Sequence, residues 1–354
     1  MTVDELRKRI DEIDRELVKL LAERAGHARE IGLMKTENNK PIYSPEREQA
    51  VLRNWLSVPH EPITDDGISA IYREIISVCR AMAAPITVAY WGPPGSFTHI
   101  ASVQKFGSST NFLAADSITD VFYEVQKKNA HHGIVPVENS TEGIIPLTLD
   151  MFLQTDLKVC AEVFVLIRHN LVSHAADIKR IKRIYSSPQP TAQCRGWLRS
   201  NAADVPIIEV STTAKAAIAA AEDPESAAIA SELAAEQYGL GILAEGIEDN
   251  PHNRTRFFVI GYAQTPRSGK DKTSIVFSVP HKAGSLHDAL RVFHENNVNL
   301  TLIESRPTKQ MPWEYVFFAD FQGHIEDESV QAALEELTAQ SLFVRVLGSY
   351  PEAE

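Results

Sequence analysis

Leu6, Ile10, Ile13, Leu17 and Leu20 recur at spacings of four and three, the single apolar stripe of an amphipathic helix. No proline interrupts the run before Pro41, so the pattern predicts one helix from Asp4 to about Lys35, roughly 45 Å long at 1.5 Å per residue. A helix of that length is expected to pack against a partner. Continued past Leu20, the stripe meets Arg24, Ala28, Ile31 and Lys35. Two cations on a face that should be buried are either snorkelling edge residues or an anion site. Arg7 lies near the same stripe but about 25 Å from Arg24, so the two reach one small ligand only if an antiparallel second chain brings them together. Ser44 and Pro45 open a second helix as N-cap and first helical residue. A third, about Thr64 to Ala83, carries Ile68, Ile71, Ile75 and Val78 on one face.

After Pro85 the period changes. Strands are expected at 86–91, 132–137, 158–167, 181–185, 206–210 and 226–230. Helices are expected up to about 154, at 190–199 and at 212–222. The alternation predicts an α/β fold with largely parallel sheets covered on both faces. From Glu248 to Phe258 a turn-rich polar run meets an apolar one. Thr255 thus sits where a loop enters a strand, on rigid support. Beyond a polar linker at 265–271, strands at 272–280, 298–306, 313–321 and 342–349 alternate with helices at 284–296 and 327–339. This βαββαβ order is ferredoxin-like.

Composition narrows the function. At 354 residues, 44% apolar and 23% charged, the chain suits two or three globular domains. A formal net charge of −12 argues against a general nucleic-acid or anionic-membrane partner, so an anionic substrate needs a local cluster of Arg and Lys. Cys79, Cys160 and Cys194 are too widely spaced for a disulfide framework or thiolate metal site and fit a reducing compartment. No HExxH or close His pattern appears among the twelve His, and no metal is expected. The N-terminus begins a helix rather than a signal peptide, and no apolar run reaches membrane-span length, which together predict a cytoplasmic protein. The turn Gly92–His99 has neither the GxGxxG nor the Walker A pattern, so no nucleotide is expected, and no other cofactor. Four polar clusters fall at strand ends, where open α/β sheets place ligands: Gly92–His99, Val137–Gly143, Ser186–Cys194 and Asn253–Phe257. Their Ser, Thr, Asn and Gln content predicts a hydrogen-bonding cleft without a His or Cys nucleophile.

Three resemblances cover nearly the whole chain. Residues 1–84 resemble the all-helical chorismate mutase domain of the AroQ class, through Leu6-Arg7-x-x-Ile10, Asp14, Leu20-Leu21-Ala22-Glu23-Arg24, Lys35 and Pro45-Glu46-Arg47-Glu48. This implies an intertwined dimer of three-helix protomers. Arg24, Arg47 and the partner's Arg7 would grip two carboxylates, Lys35 would donate to the ether oxygen, and Glu48 would hold the ring hydroxyl. Such a pericyclic step needs a compact conformer and positive charge at the breaking C–O bond, not a nucleophile. The family usually has Gln or Glu late in the third helix as a second donor, where this chain has Ala83. Arg80, one turn earlier, is a candidate substitute.

Residues 85–265 resemble the prephenate dehydratase domain, two α/β subdomains with the site between them in a periplasmic-binding-protein-like arrangement. The resemblance implies that Thr255 donates to the leaving hydroxyl, that Glu138, Asn139, Ser186 and Gln193 polarise it, and that Arg256 helps hold a carboxylate. Ser96 and Thr98 would line the substrate. Residues 270–354 resemble an ACT regulatory domain, through Gly284-Ser285-Leu286 and Glu304-Ser305-Arg306-Pro307. With Asn299 and Leu300, these imply L-phenylalanine binding at an ACT–ACT interface and feedback inhibition. The expectation is therefore a homodimer or homotetramer converting chorismate through prephenate to phenylpyruvate, water and CO2. Two other readings stay open: a dehydratase whose helical domain only dimerises or regulates, and a non-catalytic amino-acid sensor.

Overall fold

α1 (Val3–Glu37), α2 (Pro45–Leu56) and α3 (Asp65–Ala83) form on the apolar stripes. Thr2 closes a capping box on α1: its hydroxyl accepts from Glu5 N at 3.3 Å, and the Glu5 carboxylate accepts from Thr2 N at 2.7 Å. Ser44 stands at the N-cap of α2, but its hydroxyl donates to Glu46 instead of capping a backbone N–H. α1 and α3 approach closely at Gly32, where an added Cβ would sit 2.6 Å from the Ala83 Cβ. Toward its N-terminus α1 stands clear: Leu6, Ile10, Ile13, Leu17 and Leu20 are each 45–56% exposed. The computed structural model describes residues 1–38, 40–307 and 315–353. The three helices and residues 103–111 form one compact unit, and the rest of the chain forms another.

After the helices comes a lobe built from β1 (Thr87–Trp91), α4 (Phe97–Phe106, whose residues from Val103 on belong to the first unit), β2 (Asn111–Ala115), α5 (Ile118–Gln126), β3 (His132–Asn139), β4 (Gly143–Ile144), α6 (Pro146–Gln154) and β5 (Lys158–Leu166). A second lobe follows, with β6 (Asn170–Ser173), β7 (Arg183–Ser186), α7 (Pro188–Gln193), α8 (Arg195–Asn201), β8 (Ile207–Glu209), α9 (Thr213–Ala221), β9 (Ser226–Ala230), α10 (Glu232–Tyr238) and β10 (Gly241–Ala244). β11 (Arg254–Gly261) then returns to the first lobe. The strand orders are β2-β1-β3-β11-β5 and β10-β6-β9-β7-β8.

The sheets are mixed, not largely parallel as expected. β1 and β3 are parallel, but β11 is antiparallel to both β3 and β5. β6 is likewise antiparallel to β9 and β10. The cause is the double crossing between lobes, since the returning β11 runs opposite to the departing β5. The helix expected at 190–199 breaks at Cys194 into α7 and α8. α5 was not expected, although the Ser117 cap and the buried set Ile118, Val121, Phe122 and Val125 carry a helical signature.

β12 (Asp271–Ser278), α11 (Ser285–Glu295), β13 (Leu300–Pro307), β14 (Tyr315–Gln322), α12 (Glu328–Gln340) and β15 (Phe343–Pro351) complete the unit. Their antiparallel sheet has the order β13-β14-β12-β15, the ferredoxin-like arrangement. Positions 313 and 314 of the expected third strand lie outside the described residues. β15 lies against β5, and Leu347, Tyr350, Val316 and Phe318 share one apolar core with Val159, Phe152 and Phe258. Gly348 permits this approach, since an added Cβ would collide with the Val159 backbone. Gly348→Ala is expected to destabilise the folded chain by about 1–3 kcal/mol through overpacking. Denaturant unfolding measures it, and an unchanged midpoint would show that the two sheets are not closely docked.

Candidate active sites

Between the two lobes lies a cleft of about 450 Å³, a volume suited to a small organic ligand. Alternation along β11 decides what faces it. Thr255 and Phe257 line the cleft, while Arg256 points to the other face of the sheet. In register with β11, Asn139 of β3 pairs opposite Thr255, and Glu138 opposite Arg256. Asn139 therefore shares the cleft face, and Glu138 does not line the cleft.

Thr255 is 8% exposed, and its Oγ1 accepts a hydrogen bond from Asn139 Nδ2 at 2.8 Å. The Asn139 amide is itself fixed. Nδ2 also donates to Asn253 Oδ1 at 2.9 Å, and Oδ1 accepts from Thr141 N, Thr141 Oγ1 and Glu142 N at 3.0, 2.8 and 3.1 Å. With its lone pair engaged by Asn139, the Thr255 hydroxyl keeps its proton for a group in the cleft. Opposite, Gln193 Nε2 donates to Glu142 at 3.1 Å, and Gln193 Oε1 accepts from His169 Nε2 at 2.8 Å. A carbonyl oxygen only accepts, so Nε2 carries the His169 proton and Nδ1 is bare. Burial lowers the His169 pKa and favours this neutral form.

Ser96 and Thr98 line the cleft beside the first turn of α4, and Gln193 and Asn139 line it too. Three expectations are corrected. Ser186 is fully buried, with its hydroxyl turned to Ser187 O at 3.1 Å, and Ser187 takes the lining position because side chains alternate at the strand end. Glu138 lies 3.9 Å from Arg256 on the far face, and Glu142 is the carboxylate in the cleft. Arg256 does not line the cleft: its Nε donates to Glu162 at 2.7 Å, Nη1 to Asp320 at 2.6 Å, and Nη2 to the Tyr350 hydroxyl at 3.0 Å. Burial alone would lower its pKa, but Tyr350, Asp320 and Glu162 together raise it.

Among the described residues, no Lys or Arg lines the cleft. Instead the first turns of α4, α6 and α9 border it, through Phe97 and Thr98, Pro146, and Thr212 and Thr213. Helix N-termini favour anions without a charged side chain. The sequence reading missed His169 and Thr213. Both lie in short polar runs at element boundaries, Arg168-His169-Asn170 and Ser211-Thr212-Thr213, and that signal could have found them.

The helical unit holds a second pocket, of about 280 Å³, lined by Arg24, Lys35, Arg47, Glu48, Arg80 and Ala83 among others. Arg24 Nη1 donates to Cys79 Sγ at 3.0 Å, and Lys35 Nζ to Ile42 O at 3.3 Å. Glu48 accepts from Arg80 Nη1 at 2.5 Å, and Arg80 Nη2 donates to Phe106 O at 2.6 Å. Burial raises the Glu48 pKa and Arg80 opposes it. Four cationic side chains thus face one carboxylate, the local positive cluster that a chain of net charge −12 needs for an anionic ligand. Arg7 is not there. It is exposed on α1, 3.7 Å from Asp4.

In the C-terminal sheet, Ser285 and Leu286 line a pocket of about 160 Å³, and the Ser285 hydroxyl is buried with no partner among the described residues. Gly284 adopts φ 86° at the N-cap of α11, a left-handed conformation that suits glycine. The remaining expected effector residues do not line this pocket. Asn299 donates to Gln322 at 3.1 Å, Leu300 packs on the domain core, and Glu304 and Ser305 stand on β13. Arg306 forms a forked pair with Asp150 of α6 at 3.1 and 3.2 Å.

A two-lobed cleft with a buried Thr–Asn pair, a cationic helical pocket and a ferredoxin-like sheet define a multidomain enzyme. Known families match in the same order: chorismate mutase type II over residues 6–84, prephenate dehydratase over 88–265 and the ACT domain over 273–339. The bifunctional chorismate mutase/prephenate dehydratase of Aquifex aeolicus is 46% identical over 99% of this chain and 98% of its own length. The Neisseria gonorrhoeae protein of the same description is 42% identical over 99% of both. The crystal structure of the Arthrobacter aurescens prephenate dehydratase in complex with L-Phe superimposes with a TM-score of 0.70 at 36% identity, covering 76% of this chain and 90% of that one. The chain belongs to the bifunctional chorismate mutase/prephenate dehydratase family. Thr255→Ala is expected to lower dehydratase turnover about 10²–10³-fold while prephenate still binds. Turnover near wild type would remove Thr255 from the chemistry.

Proposed function

We propose that this chain rearranges chorismate to prephenate in the helical pocket and converts prephenate to phenylpyruvate, water and CO2 in the interlobe cleft. The observation that carries the second step is the 2.8 Å bond from Asn139 to Thr255 Oγ1 inside the cleft. It leaves the Thr255 hydroxyl oriented to donate to the departing oxygen. Threonine is too weak an acid to supply the proton outright, so the network polarises it and solvent restores the balance. As the hydroxyl leaves with a proton, the ring carboxylate departs as CO2 and its electron pair completes the aromatic ring. Trp91, Phe97, Ile118 and Phe257 give that ring an apolar wall. The borders formed by α4, α6 and α9 stand where the substrate carboxylates would need positive potential. Mere amino-acid sensing requires no donor at a leaving group, so the sensor reading has no use for the Thr255–Asn139 pair.

In the mutase pocket, Arg24 and Arg47 would hold carboxylates and Lys35 would face the breaking C–O bond. The exposed stripe on α1 supports a second copy of this chain as partner, bringing its Arg7 to this pocket. The assembly would be a homodimer or homotetramer. Phenylalanine would act as feedback effector at the Gly284–Leu286 turn, with Asn299, Leu300, Glu304, Ser305 and Arg306 contributing at an interface between two such domains. Three buried free cysteines support a reducing, cytoplasmic setting. No helix among the described residues is long and apolar enough to cross a membrane.

Ala83 favours one second reading. It lines the pocket without a donor, and its Cβ is pressed toward Gly32. The helical unit would then be a dimerisation module. The deciding experiment feeds chorismate to the purified full chain and follows phenylpyruvate. Chorismate consumption with phenylpyruvate release supports two working sites, whereas turnover of added prephenate alone supports the scaffold. In the bifunctional case, Lys35→Ala should lower the chorismate step by at least a hundredfold and leave prephenate turnover intact. Loss of both activities would contradict separate sites.

A further inference from the structure

Five buried polar side chains from five strands meet behind Thr255. Arg256 of β11 and Glu162 of β5 come from the dehydratase sheet. Asp320 of β14, Tyr350 of β15 and Lys272 of β12 come from the ACT sheet. Besides the three Arg256 bonds, Lys272 Nζ donates to Glu162 at 3.1 Å, and Ser274 Oγ lies 2.6 Å from the Tyr350 hydroxyl. Each of the five is at most 8% exposed. Arg256 bridges Glu162 and Asp320, so displacing it alone would leave the buried Asp320 carboxylate without its ion-pair partner. The Arg256 guanidinium also lies 4.8 Å from the Phe258 ring centre, which fixes it against the same strand.

We propose that Arg256 is a positioning residue that couples the ACT sheet to the catalytic strand, so that effector binding is read at Thr255 through Asp320 and Tyr350. This rests on the dehydratase and effector reading above. The geometry explains how the coupling works. Arg256 and Thr255 are adjacent on β11 and face opposite ways. A shift of the ACT sheet relative to the first lobe must drag Arg256, and the peptide joining it to Thr255 follows. A misplacement of about 1 Å at a reacting group can cost about a hundredfold in rate. The Arg306–Asp150 fork is a second tie, from β13 to α6, whose first turn borders the cleft. A ligand shifts such a system only if it binds one arrangement better than the other, and rigid buried bonds allow few arrangements.

The full chain is tested as wild type, Asp320→Asn and Tyr350→Phe, the last removing one hydroxyl in case Asp320→Asn does not fold. Prephenate turnover, inhibition by phenylalanine and phenylalanine binding by calorimetry are measured on each. Coupling predicts that phenylalanine binds within about threefold of wild type and that turnover falls less than about fivefold. The concentration for half-inhibition should rise at least tenfold. Inhibition at the wild-type midpoint with binding intact overturns the proposal. Joint loss of binding and inhibition also overturns it, since the cluster would then merely hold the effector pocket. If wild type neither binds phenylalanine nor is inhibited, the effector reading fails instead. Coupling is then judged by turnover alone: kcat must fall in Asp320→Asn at unchanged KM, and a wild-type kcat overturns it.

Discussion

The second unit depends on one antiparallel strand placed between two others. β11 carries the chain back from the second lobe and is hydrogen-bonded on both sides, so its register cannot slip without moving every side chain to the opposite face. That register puts Thr255 against Asn139 in the cleft and Arg256 against the ACT sheet. The proposed catalytic and coupling residues are therefore neighbours in sequence and opposites in space. Breaking a buried charge cluster of this kind typically costs about 3–5 kcal/mol, comparable with much of a domain's net stability. The ACT sheet is thus part of what holds the dehydratase site together.

Much of this architecture was legible in the sequence. The stripe from Leu6 to Leu20 and the breaks at Pro41 and Pro85 marked the three helices. Strand–helix alternation and the βαββαβ order marked the other folds. The polar clusters marked the cleft because four of them, rich in Ser, Thr, Asn and Gln, fall at strand ends, whereas a single one could be no more than a helix cap. Face was less legible. Glu138 and Asn139, Thr255 and Arg256, Ser186 and Ser187 are adjacent pairs, and a motif names both members while a strand sends them apart. Arg256 shows the cost: a guanidinium suits a carboxylate substrate, but its carboxylates are Glu162 and Asp320, far away in sequence. Strand direction was also hidden, since alternation does not reveal that the chain crosses between lobes twice.

The two pockets meet an anion by different physics. The helical pocket gathers Arg24, Lys35, Arg47 and Arg80, and pairs the last with Glu48. Among the described residues the cleft has no Lys or Arg in its lining, which leaves helix ends and hydroxyls. The difference matches the proposed chemistry. A rearrangement with charge developing at an ether oxygen profits from full cations nearby. Expulsion of CO2 does not, because a strong cation would hold the carboxylate that must leave.

The exposed stripe of α1 separates the two sites in another respect. The residues that line the described cleft belong to one chain, whereas in the proposed dimer the helical pocket would take Arg7 from a second copy. Dilution should therefore divide the protein against itself. If the proposed dimer came apart, the cleft would keep its groups while the pocket would lose the Arg7 proposed as one of its carboxylate grips. A dilute sample would still consume prephenate but would make progressively less of it.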